Sequence, residues 1–304
     1  MDLRQLGALV AVADHRSFSA AARALHTVQS NISTHVARLE RELGVTLVDR
    51  ATGKLTPEGE IVVSRARRIE TELEALVSDV AAVHSEVEGV ARIGVIGTTA
   101  RWLVPPLLEA MADEYPRVRV VVVDATTTSL LPQLHTGQLD LAVLALPIRD
   151  PDVDAEALFD EELIVIAPSD HPLAAQDRVT LDQLAQHQLL LEPPGTAFRD
   201  DLDAQAKEAG VTLSTKAEVD GMRLVASLAF EGYGAAVLPA SAAPRIPMDE
   251  RRWKMVRVDG LTRRSVGLVR RRRGLPSAPA RALTEVLKRT VEAEADRQEG
   301  IHRS

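Results

Sequence analysis

Eight apolar residues, Val62, Ala66, Ile69, Leu73, Leu76, Val80, Val83 and Val87, follow one another at alternating intervals of four and three. A strand repeats every second residue and an irregular loop has no period. A four-three alternation kept over four heptads is the a/d seam of a long helix. Thr56-Pro57-Glu58 opens it with a capping hydroxyl, a proline at the first helical position and an acid near the positive dipole end. The helix is expected to run to about Val87 and to stop at Gly89. At ~1.5 Å per residue it is on the order of 45 Å long. One reading packs this helix on its own body. A seam only two positions wide per heptad fits a partner helix from a second chain better, which makes Val62, Ile69, Leu73, Leu76, Val80 and Val83 the predicted dimerisation residues. The helix divides the chain into a head (residues 1–57), a linker (58–88) and a body (89–304).

In the head, Leu3, Leu6, Leu9, Val10 and Ala13 recur at helical spacing. Ser17-Phe18-Ser19 supplies a cap for a short Ala-rich helix, Ala20–Leu25, whose small side chains let another helix approach. After a turn at His26-Thr27, Val28, Ile32, Val36 and Leu39 form a core-facing stripe. The other side of that helix carries Gln29, Ser30, Ser33, Thr34, Ala37 and Arg38, side chains short and polar enough for a major groove. Leu43-Gly44-Val45 ends the helix. Two short strands are expected around Ala51-Thr52-Gly53, a wing with Arg50 and Lys54 available for phosphate. The residues alone also allow a three-helix module for protein contacts. The order helix, turn, helix, basic hairpin favours DNA, with Gln29, Ser30, Ser33, Thr34, Arg38, Arg50 and Lys54 as the candidate contacts.

Arg4-Gln5-Leu6, Ser17-Phe18-Ser19, Ala21-Ala22, Leu25-His26, Gln29, Ser33, Leu39-Glu40, Leu43-Gly44-Val45, Leu47, Arg50, Leu55-Thr56 and Gly59 resemble the LysR-type transcriptional regulators, densely over residues 1–65. Two positions depart from that pattern. Val28 stands where the family usually has serine, which shifts the expected helix cap to Thr27. Thr34 stands where arginine is frequent, which removes a common DNA contact and leaves the target preference open.

From Ala91 the pattern changes to strands alternating with helices. Strands are expected at Arg92–Ile96, Val118–Val123, Leu139–Leu144, Leu163–Ala167, Leu189–Leu191, Lys216–Val219, Ala235–Leu238 and Ser265–Val269, with a last helix over Ala278–Ala295. The fold class is α/β: a winged helix-turn-helix, a long linker helix, and two doubly wound lobes resembling periplasmic binding proteins. The family resemblance implies that the chain crosses twice between lobes, giving lobe I about 90–162 plus 267–300 and lobe II about 163–266. Ligands in such folds sit at strand ends, here between the lobes. Thr98, Thr99, Thr127, Thr128, Thr196, Phe198 and Met222 are the candidate effector residues, although each threonine alone is explained as a helix cap. Arg270–Arg273 is expected to be the solvated end of an edge strand, and Glu161-Glu162 an exposed loop pair.

The 304 residues carry a net charge of −8, with +2 in residues 1–56 and −10 in the rest, so only the head suits nucleic acid. Zero cysteines exclude disulfides, thiolate metal sites and a thiol nucleophile. The eight histidines show no metal-binding spacing, and no GxSxG, P-loop or GxGxxG motif occurs. No metal and no cofactor are expected. Met1-Asp2-Leu3-Arg4-Gln5 does not resemble a secretion signal and no apolar run approaches ~20 residues, so a cytoplasmic location without membrane contact is expected. The expected function is sequence-specific transcriptional regulation, with DNA bending controlled by a small effector, which the family resemblance implies is anionic. Double-stranded DNA, the effector and a homodimer are the expected partners; the resemblance also implies a homotetramer joined through the bodies, and RNA polymerase is a candidate further partner. The competing reading is a small-molecule binding protein or hydrolytic enzyme with the head as a protein adaptor.

Overall fold

The computed structural model describes residues 1–84, 86–243 and 252–304, so part of the expected lobe II, residues 244–251, lies outside the described residues. Asp2 starts helix α1 (Leu3–His15) with a reciprocal cap: the Gln5 N–H donates to Asp2 Oδ1 at 2.9 Å and the Asp2 N–H to Gln5 Oε1 at 3.0 Å. Ser17 caps α2 (Phe18–Ala24) by accepting from the Ala20 N–H. Helix α3 (Gln29–Leu43) ends at Gly44, whose φ of 71° suits a residue without Cβ. Leu9, Val12, Ile32, Val36 and Leu39 bury the inner faces of α1 and α3 in one core. The wing is slighter than expected. It has a single antiparallel bridge, Val48 to Leu55, tightened by the Asp49 N–H donating to Lys54 O at 2.8 Å.

Helix α4 (Pro57–His84) starts as expected, with the Gly59 N–H donating to Thr56 Oγ1 at 3.0 Å. It ends at His84 rather than near Val87, and Gly89, with φ 124°, begins a strand instead of closing the helix. The seam is also shorter than expected. Val63 and Ala66 are buried in the head core and Val62 packs against it, because the first turns of α4 close the helix-turn-helix from below. The exposed apolar face then runs through Ile69, Leu73, Leu76, Val77, Val80 and Val83, with Leu76 at 60% and Val83 at 75% exposure. The opposite face is held by the body of the same chain. Thr71 Oγ1 donates to Gly137 O at 3.0 Å, Arg92 pairs with Glu74 at 3.0 Å, and the Ala278 N–H donates to Asp79 Oδ1 at 2.7 Å. One face of this helix thus packs on its own body, and the other leaves an apolar stripe exposed.

The body strands are β1 (Gly89–Ile96), β2 (Val118–Ala125), β3 (Leu141–Ala145), β4 (Val153–Glu161), β5 (Leu163–Pro168), β6 (Arg178–Thr180), β7 (Gln188–Leu191), β8 (Ser214–Glu218), β9 (Ala235–Pro239), β10 (Trp253–Asp259), β11 (Arg264–Arg271) and β12 (Ile301–Arg303). They form two six-stranded sheets, ordered β12-β4-β11-β3-β1-β2 and β6-β10-β5-β9-β7-β8. Each is mixed: β1 runs parallel to β2 and β3, whereas β11 is antiparallel to β3 and β4. The helices are α5 (Gly97–Glu114), α6 (Thr127–Thr136), α7 (Leu181–Ala185), α8 (Ala197–Glu208), α9 (Met222–Phe230) and α10 (Ala278–Glu294). The chain passes from the first sheet to the second between β4 and β5 and returns between β10 and β11. The return strand starts at Arg264, one residue before the expected Ser265 and so ahead of the lobe boundary placed at about 267, and β12 extends lobe I past residue 300.

Strand β4 changes the role assigned to Arg270–Arg273. Because β4 pairs with β11, β11 is an interior strand and not an edge. Its arginines hold neighbours in place: Arg271 Nη1 donates to Leu134 O at 3.0 Å and Leu139 O at 2.9 Å, and Arg272 Nε to Asp154 Oδ1 at 2.8 Å.

Candidate DNA face and interlobe cleft

Helix α3 buries Ile32, Val36 and Leu39 and leaves Gln29, Ser30, Thr34 and Arg38 exposed, with Ser33 half-buried. Val28 does not belong to the buried stripe. It is the N-cap residue, 61% exposed, and has no side-chain cap bond to offer. Thr27 does not take over the capping either, since its hydroxyl accepts from Asn31 Nδ2 at 3.0 Å. Gln29 is tied to the preceding helix: Ser19 Oγ donates to Gln29 Oε1 at 2.8 Å. At the wing, Lys54 is exposed. Arg50 lies over the Phe18 ring at 5.3 Å and donates to Glu40 Oε2 at 3.1 Å. Glu40 in turn accepts from the Leu47 N–H at 2.9 Å, so one carboxylate fixes the wing backbone and its arginine together.

Between the lobes lies an open cleft of about 860 Å³. Lobe I contributes Gly97, Thr98, Arg101 and Val104 of α5 and Asp124 of β2; lobe II contributes Arg223 and Phe230 of α9, with Arg252 and Trp253. Arg223 and Asp124 form an ion pair across the opening. Phe230 and Trp253 meet edge to face, with ring centroids 4.9 Å apart, and make an apolar wall beside the three arginines.

Of the candidate effector residues, Thr98 lines this cleft. Thr99 has no exposed surface and its hydroxyl has no hydrogen-bond partner. Thr127 and Thr128 stand at the start of α6, where Thr128 Oγ1 lies 2.9 Å from Thr126 Oγ1. Thr196 caps α8 by accepting from the Arg199 N–H, and Met222, at the start of α9, packs against the lobe II core. Phe198 is brought to Thr98 by a residue that sequence reasoning missed. Arg264 Nη2 donates to Thr98 Oγ1 at 3.1 Å while its guanidinium lies 5.9 Å from the Phe198 ring centre. Burial pushes the nearby Glu192 carboxyl up, against hydrogen bonds from Thr196 and Gly221 and the field of Arg264.

Arg264 also corrects the placing of Glu161 in an exposed loop. Glu161 ends β4 with 0% exposure; Arg264 Nε donates to its Oε1 at 2.7 Å and the Ser241 N–H to its Oε2 at 3.1 Å. Glu162 remains nearer the surface and lies 2.9 Å from His302 Nε2. The signal was present in the sequence: Glu161-Glu162 and Arg263-Arg264 put opposite charges at the two passages between lobes.

A winged helix-turn-helix joined by a long helix to a two-lobed body with an interlobe cleft defines a DNA-binding regulator with an effector-binding domain. The LysR substrate binding domain model matches residues 84–292, and the bacterial regulatory helix-turn-helix model of the lysR family matches residues 3–60. The chain belongs to the LysR-type family of transcriptional regulators. It is 38% identical over 245 residues to a probable hydrogen peroxide-inducible genes activator of Streptomyces viridosporus, covering 79% of this chain and 78% of that one. Full-length OxyR of Pseudomonas aeruginosa, carrying a cysteine-to-aspartate substitution, superposes with a TM-score of 0.76 at 29% identity, over 96% of this chain and 95% of that one. CbnR complexed with its target DNA superposes with a TM-score of 0.70 at 25% identity, over 95% and 100%. The reading as a binding protein or hydrolase with an adaptor head is not favoured, because these relatives are regulators.

Proposed function

We propose that this regulator reads its operator through Gln29, Ser30, Ser33, Thr34 and Arg38, with Arg50 and Lys54 on phosphate, and that a small anion between the lobes sets the geometry of the bound DNA. One observation carries the sensing half: Arg101, Arg223 and Arg252 line one cleft together with groups from both lobes. An anion held there contacts two bodies at once, so its affinity differs between open and closed arrangements, and that difference is what shifts a population. The Arg223–Asp124 pair competes for the same charge and opposes binding until the ligand displaces it.

Thr98 and Phe198 join the site through Arg264, while Thr127, Thr128, Thr196 and Met222 stand at helix starts that approach when the lobes close; Thr99 supports the helix from inside. The exposed face of α4 from Ile69 to Val83 pairs with a second copy, and two such dimers join into a tetramer through their bodies. The protein works in the cytoplasm and catalyses no reaction. Among the described residues no helix is long and apolar enough to cross a membrane. Two relatives bear names tied to peroxide or to a cysteine substitution, but this chain has no cysteine, so its effector is held without thiol chemistry.

The test begins with a duplex selected from random sequence by the full chain. Gln29→Ala costs about 1–3 kcal/mol on that duplex and far less on unselected DNA. A panel of small carboxylates and phosphates is then titrated into the complex while the footprint is followed. A subset shortens or lengthens the footprint of the parent protein, and Arg223→Ala shifts the concentration at which it does so. Equal loss on both DNAs removes Gln29 from the bases. A footprint indifferent to every anion removes the anion from the cleft.

A further inference from the structure

Ser19 stands on α2, outside the recognition helix, and both it and Gln29 are exposed. Its hydroxyl has no capping task, since Ser17 caps α2 and α3 has no side-chain cap. What it does is donate to Gln29 Oε1 at 2.8 Å. A glutamine amide has two different ends, an oxygen that accepts and a nitrogen that donates twice. An untethered glutamine turns either end toward a base. Ser19 takes one of the two lone pairs of the oxygen and fixes that end on the side of α2, so the Nε2 group, with both its N–H bonds, is the end turned to the duplex.

The end that is left determines the base. Adenine shows the major groove an acceptor, N7, beside a donor, N6, and its two-point contact needs both ends of the amide. Guanine shows two acceptors, N7 and O6, and two N–H bonds suffice. Asn31 does not supply the missing acceptor: its Nδ2 is turned back to Thr27, and it stands two residues further on, round the helix from Gln29. We propose that Ser19 is a specificity-determining positioning residue: it fixes the polarity of the Gln29 amide and sets the contacted base as guanine rather than adenine. This rests on the reading of Gln29 as a base contact.

The experiment is selection from randomised duplex DNA with the full-length parent chain, Ser19→Ala, Ser19→Thr and Gln29→Ala. The parent selects guanine at one position of each half-site. Gln29→Ala loses preference at that position alone. Ser19→Ala frees the amide and accepts adenine there, lowering the guanine-to-adenine ratio about tenfold, and Ser19→Thr, which keeps the hydroxyl, restores it. Placing 7-deazaguanine at that position weakens the parent several-fold and leaves Gln29→Ala unchanged. Equal affinity of the parent and Ser19→Ala for unselected DNA and equal melting temperatures show that the head is intact. An unchanged base ratio in Ser19→Ala, or a parent that selects adenine, overturns the proposal. A selected site that Gln29→Ala leaves unaltered overturns instead the placing of Gln29 on the bases, and this proposal falls with it.

Discussion

Arg264 donates through both Nε and Nη2 to the same oxygen of Glu161, a carboxylate with no exposed surface. One partner ends the strand before the first passage between lobes, and the other begins the strand after the second. Arg264→Met therefore leaves a buried carboxylate without its counter-charge, at a cost of about 3–5 kcal/mol. Adding Glu161→Gln to that variant recovers at least half of the loss. Urea unfolding of the two variants and the parent measures both numbers, and an Arg264→Met variant as stable as the parent removes the pair from the hinge.

Thr98 and Thr99 are neighbours with opposite expectations. Thr98 accepts a hydrogen bond from a charged group, so Thr98→Val loses about 1.5–3 kcal/mol. Thr99 has a buried hydroxyl without a partner, so Thr99→Val, of nearly the same shape, is neutral or gains about 1 kcal/mol. The difference between the two melting temperatures is the measurement.

Leu76→Asp places a charge on the exposed apolar face of α4. In sedimentation the variant runs as a monomer with unchanged helix content, and its affinity for the selected duplex falls by at least tenfold. A dimer that survives Leu76→Asp and Val80→Asp together shows that the copies meet elsewhere.

Lys54→Ala lowers the slope of log affinity against log salt by about 0.9, the value for one phosphate contact. Glu40→Gln keeps the acceptor for the Leu47 N–H but releases the Arg50 charge, so binding to DNA at low salt strengthens. Competition binding over a salt series reads both effects.

Asp140 accepts from the Arg92 N–H at 2.7 Å, yet burial holds its carboxyl above the ordinary 3.8. The native state thus binds this proton more tightly than the unfolded chain does. Its contribution to stability is full below 3.8 and is lost as pH rises through the raised value. Asp140→Asn removes that loss. Its melting temperature relative to the parent climbs as the pH is raised above 3.8, and parallel curves would show that the proton is not there.

How far the sequence could be read depended on how local each signal was. The head was legible because Ser17 and Gly44 mark helix ends within one turn, and Ile32, Val36 and Leu39 mark a face within three. Strand β4 was missed because Val153–Glu161 is rich in acids and exposed over residues 154–157, and its partners β11 and β12 lie far along the chain. With β4 unseen, β11 looked like an edge and Glu161 like a surface acid. The period gave the helix of α4 but not which of its apolar residues stay exposed: Ala66 satisfies a heptad and a head core equally well, and only the tertiary contact decides. Arg264 was missed because its worth depends on groups 103 and 166 residues away.

Asp79 of α4 accepts the Ala278 N–H at the first turn of α10, while Arg67 near the other end of α4 pairs with Asp14 of the head. The helix has 28 residues, and from Thr71, where lobe I first holds it, to its start at Pro57 it forms an arm about 21 Å long. A tilt of about 10° at that point carries the far end about 4 Å, close to one base-pair step of ~3.4 Å along a duplex. Small angular adjustments in the body are thus carried along α4 and enlarged at the head.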